Sequence, residues 1–298
     1  MLRLKKNLSV LRKPSLFRTM AIMAFFLMLV QVNRVGGGVL ASELSDGYNL
    51  SPTMIGLVIG SMFFAAAVVQ VPVGLMLDSF GARRTLVGLS VIAVSGMILI
   101  GFASGAAELI IGRILVGIGH GASITGVYLL AVVWTSPERV STVAAITIAV
   151  GGALGGILGT APLAISFETL GFSDTFVLLA IASLFSSFLI WKLIDEKNSF
   201  TNKPNASEGL AGSLIGFFEV LKDRNLWPIF AMALCFSFPF ATIGGLWASP
   251  FLQDLHKLTS VEAGGIILAM AFGVNPVSYT HLRAHETRHD LVCRLLLE

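Results

Sequence analysis

The sequence predicts an all-helical membrane protein, built as a complete six-helix N-terminal bundle followed by the first one or two helices of a second unit. Three observations predict this. Of the 298 residues, 55% are hydrophobic and 12% charged, which leaves too little polar surface to cover a soluble globule. Seven apolar runs each approach or exceed the roughly 20 residues that span hydrocarbon as a helix. A short glycine-led motif near the end of the first run returns near the end of the seventh.

The runs cover residues 16–40, 54–77, 85–107, 109–135, 143–167, 175–191 and 226–252. Residues 1–15 are basic and form a cytoplasmic N-terminus. A basic start before an apolar run also outlines a secretory signal, but no small-residue cleavage site is clear and the run is long, so it reads as a retained first helix. Residues 16–194 make the first transmembrane unit. Residues 195–225 carry Lys, Asn, Ser, Pro204 and Gly209 without a long apolar run, the composition of a cytoplasmic linker. The second unit opens over 226–274, but its next run, 263–274, has 12 residues before Asn275-Pro276, short of the ~17 that cross a bilayer. The chain is therefore expected to be truncated. Residues 275–298 turn polar and resemble peptides translated from sequencing-adapter read-through, so they read as a non-native tail. The competing reading is a metal site, because His281, His285 and His289 share one face of a helix.

Charge sets the orientation. With the N-terminus inside, the inner segments hold Arg3, Lys5, Lys6, Arg12, Lys13, Arg18, Arg83, Arg84, Arg139, Lys192, Lys197, Lys203, Lys222 and Arg224, and the outer loops hold Lys257. The positive-inside rule selects this arrangement, that of a multi-pass protein of the inner or plasma membrane. The net charge of +3 is thus topological and does not point to nucleic acid. The lipid bilayer is the partner that the composition demands, and nothing evident calls for an obligate protein partner. Cys235 lies in the seventh run and Cys293 in the tail, so no disulfide framework is implied.

The repeat joins the two units. Gly37-Gly38-Val39-Leu40-Ala41-Ser42 recurs as Gly244-Gly245-Leu246-Trp247-Ala248-Ser249, and Leu50-Ser51 with Gly56 recurs as Leu258-Thr259 with Gly264, at nearly one offset. Together with the linker, this favours a duplicated six-helix unit.

Between the second and third runs stands Gly74-Leu75-Met76-Leu77-Asp78-Ser79-Phe80-Gly81-Ala82-Arg83-Arg84. An acid, two glycines and paired arginines at a membrane surface make a tight charged hairpin, in which Gly74 allows close packing, Gly81 permits the turn, and Asp78 can meet a helix N-terminus or Arg84. The arginines can also serve topology alone. The segment resembles the signature loop G-x-x-x-D-x-x-G-x-R-R/K between the second and third helices of major facilitator superfamily transporters. In that family the loop meets the eleventh helix and acts as a conformational latch. Gly112-Arg113-Ile114-Leu115-Val116-Gly117-Ile118-Gly119-His120-Gly121 in the fourth run matches the R-x-x-x-G-x-G pattern of the same superfamily, with Arg113, Gly117 and Gly119 in its fixed places. The resemblance covers residue 16 to about 274 and implies a facilitator-type helical bundle.

Helical spacing puts residues 113, 117, 120 and 124 on one face, so Arg113 and His120 can look into one cavity. The glycines of the fifth run, Gly151, Gly152, Gly155, Gly156 and Gly159, read as a packing face with a bend at Pro162. Arg34 near mid-helix costs ~2.5–3.5 kcal/mol on insertion scales unless it meets water, a partner or a ligand. It either faces a central cavity or snorkels to the outer surface. With Asn33 and with Gln70-Val71-Pro72-Val73-Gly74, it resembles the organic-anion branch of the superfamily, whose first-helix arginine grips carboxylate or phosphate. That branch commonly has an acid where this chain has Asn33 and a glutamate where it has His120. His120 is then the titratable candidate for proton coupling, or else a neutral hydrogen-bonding group. The repeat aligns Arg34 with Ala241, so one arginine facing a monocarboxylate is favoured over a two-arginine clamp. Tyr128, Trp247 and Phe240 either line the cavity or pack and anchor the helices.

No H-E-x-x-H, G-x-S-x-G or P-loop pattern is present, so neither an intramembrane enzyme nor a cofactor or metal is expected. A seven-helix receptor leaves the repeat and the Asp78–Arg84 loop without a purpose. The resemblance implies secondary transport of a small organic anion, coupled to a proton or cation, with proton-antiport efflux of drug-like molecules or metabolites as the other reading. As given, the chain is not expected to transport.

Overall fold

The computed structural model describes residues 14–194 and 219–269; the predicted N-terminal segment, most of the linker and the histidine-rich tail lie outside them. The fold is all-helical. Span one is α1 (Pro14–Val35) continued by α2 (Gly37–Tyr48). The joint is Gly36, whose N–H still donates to the Val32 carbonyl at 2.9 Å. Close approach demands glycine there, since a Cβ would stand 2.5 Å from Leu163 Cδ2 and 2.7 Å from the Val32 oxygen.

α3 (Pro52–Val68) starts with Ser51 as N-cap, its hydroxyl accepting from the Met54 N–H at 3.3 Å, and with proline in the first turn where no N–H is needed. Val69 joins it to α4 (Gln70–Gly101), which contains one non-helical residue, Gly81, at φ 80 and ψ 170. The second span is therefore α3 plus the start of α4, and the third is the remainder of α4. The hairpin predicted over 74–84 reduces to a single glycine, because helix persists through Asp78 and Phe80 and resumes at Ala82. α5 (Ala106–His120) and α6 (Ser123–Trp134) form span four. A 3-10 turn, Pro137–Arg139, leads into α7 (Val140–Leu158), and α8 (Ala161–Leu170) completes span five beyond the bend at Thr160. α9 (Phe172–Leu193) is span six. The seventh run holds α10 (Trp227–Pro239), a π-helical stretch (Phe240–Trp247) and α11 (Ala248–His256), followed by α12 (Ser260–Ala269). Among the described residues, 5 helical stretches are long and apolar enough to cross a membrane, one of them running through the α5–α6 break. The joint at Val69 and the breaks in the seventh run account for the difference from the predicted seven.

α4 packs on α5 and α9, α1 on α7, and α3 on α5. Leu16, Leu77, Ala82, Leu86, Ile190 and Ile194 share one core cluster. Leu44, Ile55, Leu109, Phe167 and Phe176 share the other. Several crossings bring backbone against backbone: a Cβ on Gly117 would strike the Met62 carbonyl, and one on Gly155 the Met28 carbonyl. α11 lies against α2, tied by the Gln253 amide, which donates at 3.0 Å to Ser42 Oγ and to Ser249 Oγ and accepts from Ser260 Oγ at 3.1 Å.

Candidate functional site

α1 and α5 bring the candidate ligand-binding residues together in the first unit. Asn33 and Arg34 occupy the last turn of α1, just before the Gly36 joint. Asn33 is buried, and its amide nitrogen donates to the Leu29 carbonyl at 3.0 Å, leaving Oδ1 without a partner. Arg113 is 2% exposed, and its Nη1 donates to the main-chain carbonyl of Asn33 at 3.2 Å. Its Nε and Nη2 have no hydrogen-bond partner. Asn33 and Arg113 line a cavity of about 10 Å³ with Gly36, Leu163 and Phe167, roughly the space of one water molecule.

His120 closes α5 with 3% exposure, its ring edge-on to Phe26 at 6.3 Å and its Nδ1 without a partner. Arg34 and Arg113 both lie close enough to act on it electrostatically. Arg34 itself is half-buried. Among the described residues no carboxylate is buried, so this polar cluster has a positive balance.

The one-face expectation for span four is corrected in part. Gly117 turns to the Met62 backbone on α3 and Gly119 to Ala93 on α4, whereas Ile124 is exposed. The break at Gly121 and Ala122 ends the regular spacing on which that expectation rested. Arg113, Gly117 and His120 all precede that break, and Arg113 is held against span one by its bond to the Asn33 carbonyl. Gln70 is exposed, its Nε2 donating to the Gly121 carbonyl at 3.3 Å, and so joins span two to span four. Tyr128 is 43% exposed on α6. Trp247 is also exposed and lines an open groove with Pro250, Phe251, Asp254 and Leu255. The side chains of Phe240 and Ala241 lie outside the described residues.

In the loop, Gly81 holds a positive φ of 80, a region costly for residues with a Cβ. Gly74 differs from expectation: a Cβ there would meet nothing within 4 Å among the described residues, so no close packing requires it. Asp78 and Arg84 are both exposed, and no ion pair joins them among the described residues. Two stabilising contacts were not foreseen. Thr85 Oγ1 donates to the Met76 carbonyl at 2.9 Å across the turn. The Arg83 guanidinium lies 4.5 Å from the centroid of the Trp191 ring. The sequence signal for the second was a tryptophan beside Lys192 at the end of an apolar run, which reads equally as an interfacial anchor.

The Major Facilitator Superfamily model matches residues 11–284. The chain is similar to a hexuronate transporter of Bacillus subtilis (strain 168), 28% identical over 246 residues, covering 79% of this chain and 56% of that protein. It is 25% identical over 165 residues to a probable sulfoacetate transporter of Cupriavidus necator, covering 55% of this chain and 38% of the relative. Similarity to a probable sugar efflux transporter of Mannheimia succiniciproducens is 23% identity over 274 residues, 91% of this chain and 65% of the relative. The chain thus spans about half the length of the curated relatives it matches. Among solved structures it resembles a D-xylose-proton symporter, with TM-score 0.66 and 14% identity, over 92% of this chain and 70% of that one. A bacterial homologue of the human lysosomal transporter Spinster, inward-facing and unoccupied, gives TM-score 0.65 at 16% identity, over 88% of this chain and 61% of that one. At these identities the likeness is one of fold.

Proposed function

The chain belongs to the Major Facilitator Superfamily, and from that premise we propose that the whole protein is a secondary transporter, not an enzyme, which moves a small organic anion across the inner or plasma membrane. The observation that carries this reading is the pair of cations, Arg34 and Arg113, beside His120 in a unit where no described carboxylate is buried. An anionic solute supplies the charge that such an interior lacks, and a guanidinium fork suits a carboxylate. The names of the hexuronate and sulfoacetate transporters support the same class.

On this reading the substrate sits near the bilayer midplane between two units that rock about it. Arg34 is its main ligand, Asn33 and Arg113 fix the surrounding helices, and Gln70, Tyr128 and Trp247 border the path. His120 carries the coupling proton, and the turn from Gly74 through Asp78 to Arg83 and Arg84 latches one conformation. The N-terminus is cytoplasmic. Efflux of sugars, drug-like molecules or metabolites by proton antiport is the second reading, favoured by the relatives described as probable sugar efflux transporters. Uptake assays on a full-length protein carrying this first unit separate them. Arg34→Gln and Arg34→Lys are expected to reduce anion transport at least tenfold; intact transport in either variant would sink the anion reading.

A further inference from the structure

The cytoplasmic ends of spans one, three and six converge on one core cluster through Leu16, Ala82, Ile190 and Ile194. At that rim each span presents an aromatic ring beside a cation. Phe17 precedes Arg18 on α1, Phe80 precedes the Gly81 turn and the Arg83-Arg84 pair on α4, and Trp191 precedes Lys192 on α9. The rings remain outside the core, with Phe17 59%, Phe80 57% and Trp191 48% exposed. Arg84 and Lys192 are exposed as well, and Arg83 is stacked over Trp191. Asp78 is the described carboxylate nearest in sequence, one turn before Gly81, and Asp195 and Glu196 follow α9 outside the described residues.

Topology accounts for the positive charges and interfacial anchoring for each ring taken singly, but neither requires three helix ends bearing both to gather at one place. Exposed rings suit the boundary where acyl chains meet headgroups, and clustered cations at the same depth suit phosphate. Basic pockets between transmembrane helices on the cytoplasmic side take anionic headgroups by this chemistry. We propose that the rim formed by Phe17-Arg18, Phe80, Arg83-Arg84 and Trp191-Lys192 is a docking surface for one anionic phospholipid, whose phosphate meets Arg84 and Lys192 while its acyl chains pass the exposed rings. Stacking on Trp191 holds the Arg83 side chain at the edge of this surface, so Arg84 and Lys192 carry the contact and Arg83 shapes it.

The test uses the chain itself, purified in a neutral detergent and melted with added phosphatidylglycerol or with phosphatidylcholine of the same acyl chains. Phosphatidylglycerol is expected to raise the melting temperature more, and native mass spectrometry is expected to find it retained. The paired substitution Arg84→Gln and Lys192→Gln cuts the difference between the two lipids at least twofold, and each single substitution cuts part of it. Arg139→Gln, on the loop between spans four and five, leaves it unchanged, and Lys192→Arg preserves it. Equal shifts with both lipids, a full difference in the paired variant, or an equal loss from Arg139→Gln would each overturn the proposal.

Discussion

Arg113 Nη1 donates to the main-chain carbonyl of Asn33 at 3.2 Å, joining span four to span one one residue before Arg34. Two other nitrogens of the same guanidinium are buried without partners. A buried charge so incompletely satisfied is costly, and an apolar side chain of similar volume is often neutral or stabilising by ~1–4 kcal/mol. Arg113→Met is therefore expected to keep or raise the melting temperature of the purified chain while abolishing anion transport in a full-length protein. Thermal unfolding in detergent checks the first half; a fall of more than about 5 °C, larger than most single substitutions cause in a chain of this size, would show that the charge is better compensated than its geometry indicates.

Glycines in the spans divide sharply by what lies beside them. Gly117→Ala drives a methyl group into the Met62 carbonyl, and overpacking of this kind costs ~1–3 kcal/mol. At Gly152 a Cβ meets nothing within 4 Å, so Gly152→Ala is expected to be neutral or to stabilise by up to ~1 kcal/mol through helix propensity. Melting temperatures of the two variants, compared side by side, test the contrast, and equal losses would contradict it.

The loop glycines divide in the same way. Gly81→Ala places a side chain at φ 80 and ψ 170, a region open essentially to glycine, with a penalty of roughly 1–3 kcal/mol, whereas Gly74→Ala should leave the melting temperature of this chain unchanged. A transport defect from Gly74→Ala in a full-length protein, with stability intact, would identify a contact made only with the second unit.

Proton coupling is tested at His120. With the full-length protein in proteoliposomes, His120→Ala is expected to abolish accumulation driven by a proton gradient and to spare exchange of substrate across the membrane. Uptake whose pH dependence survives the substitution would remove the imidazole from the mechanism.

The apolar runs were legible because bilayer thickness imposes a length on every crossing, and spans three to six match the predicted runs closely. Span one is longer than its apolar run, since α2 continues through Glu43 and Ser45 to Tyr48, polar residues that hydropathy alone assigns to a loop. Span two is split at Val69, where Gln70 and Pro72 interrupt the helix signal without ending the helix. Motif spacing located the turn but not its internal contacts. Thr85 to Met76 and Arg83 to Trp191 depend on how chain segments fold back on one another, and no periodicity encodes that. The candidate site was legible as residue types. Their orientation was not legible, because the bond from Arg113 to the Asn33 carbonyl depends on how spans one and four pack.

Where Gly117 meets the Met62 carbonyl and Gly155 meets the Met28 carbonyl, the facing surfaces carry no rotatable side chain on the glycine side. Such crossings cannot slide by exchanging rotamers, so spans one with five and two with four behave as fused pairs. The spans themselves are jointed at Gly36, Val69 and Thr160. In these two pairs a shift of one span carries its partner with it, because no rotamer change at the glycine can absorb the displacement.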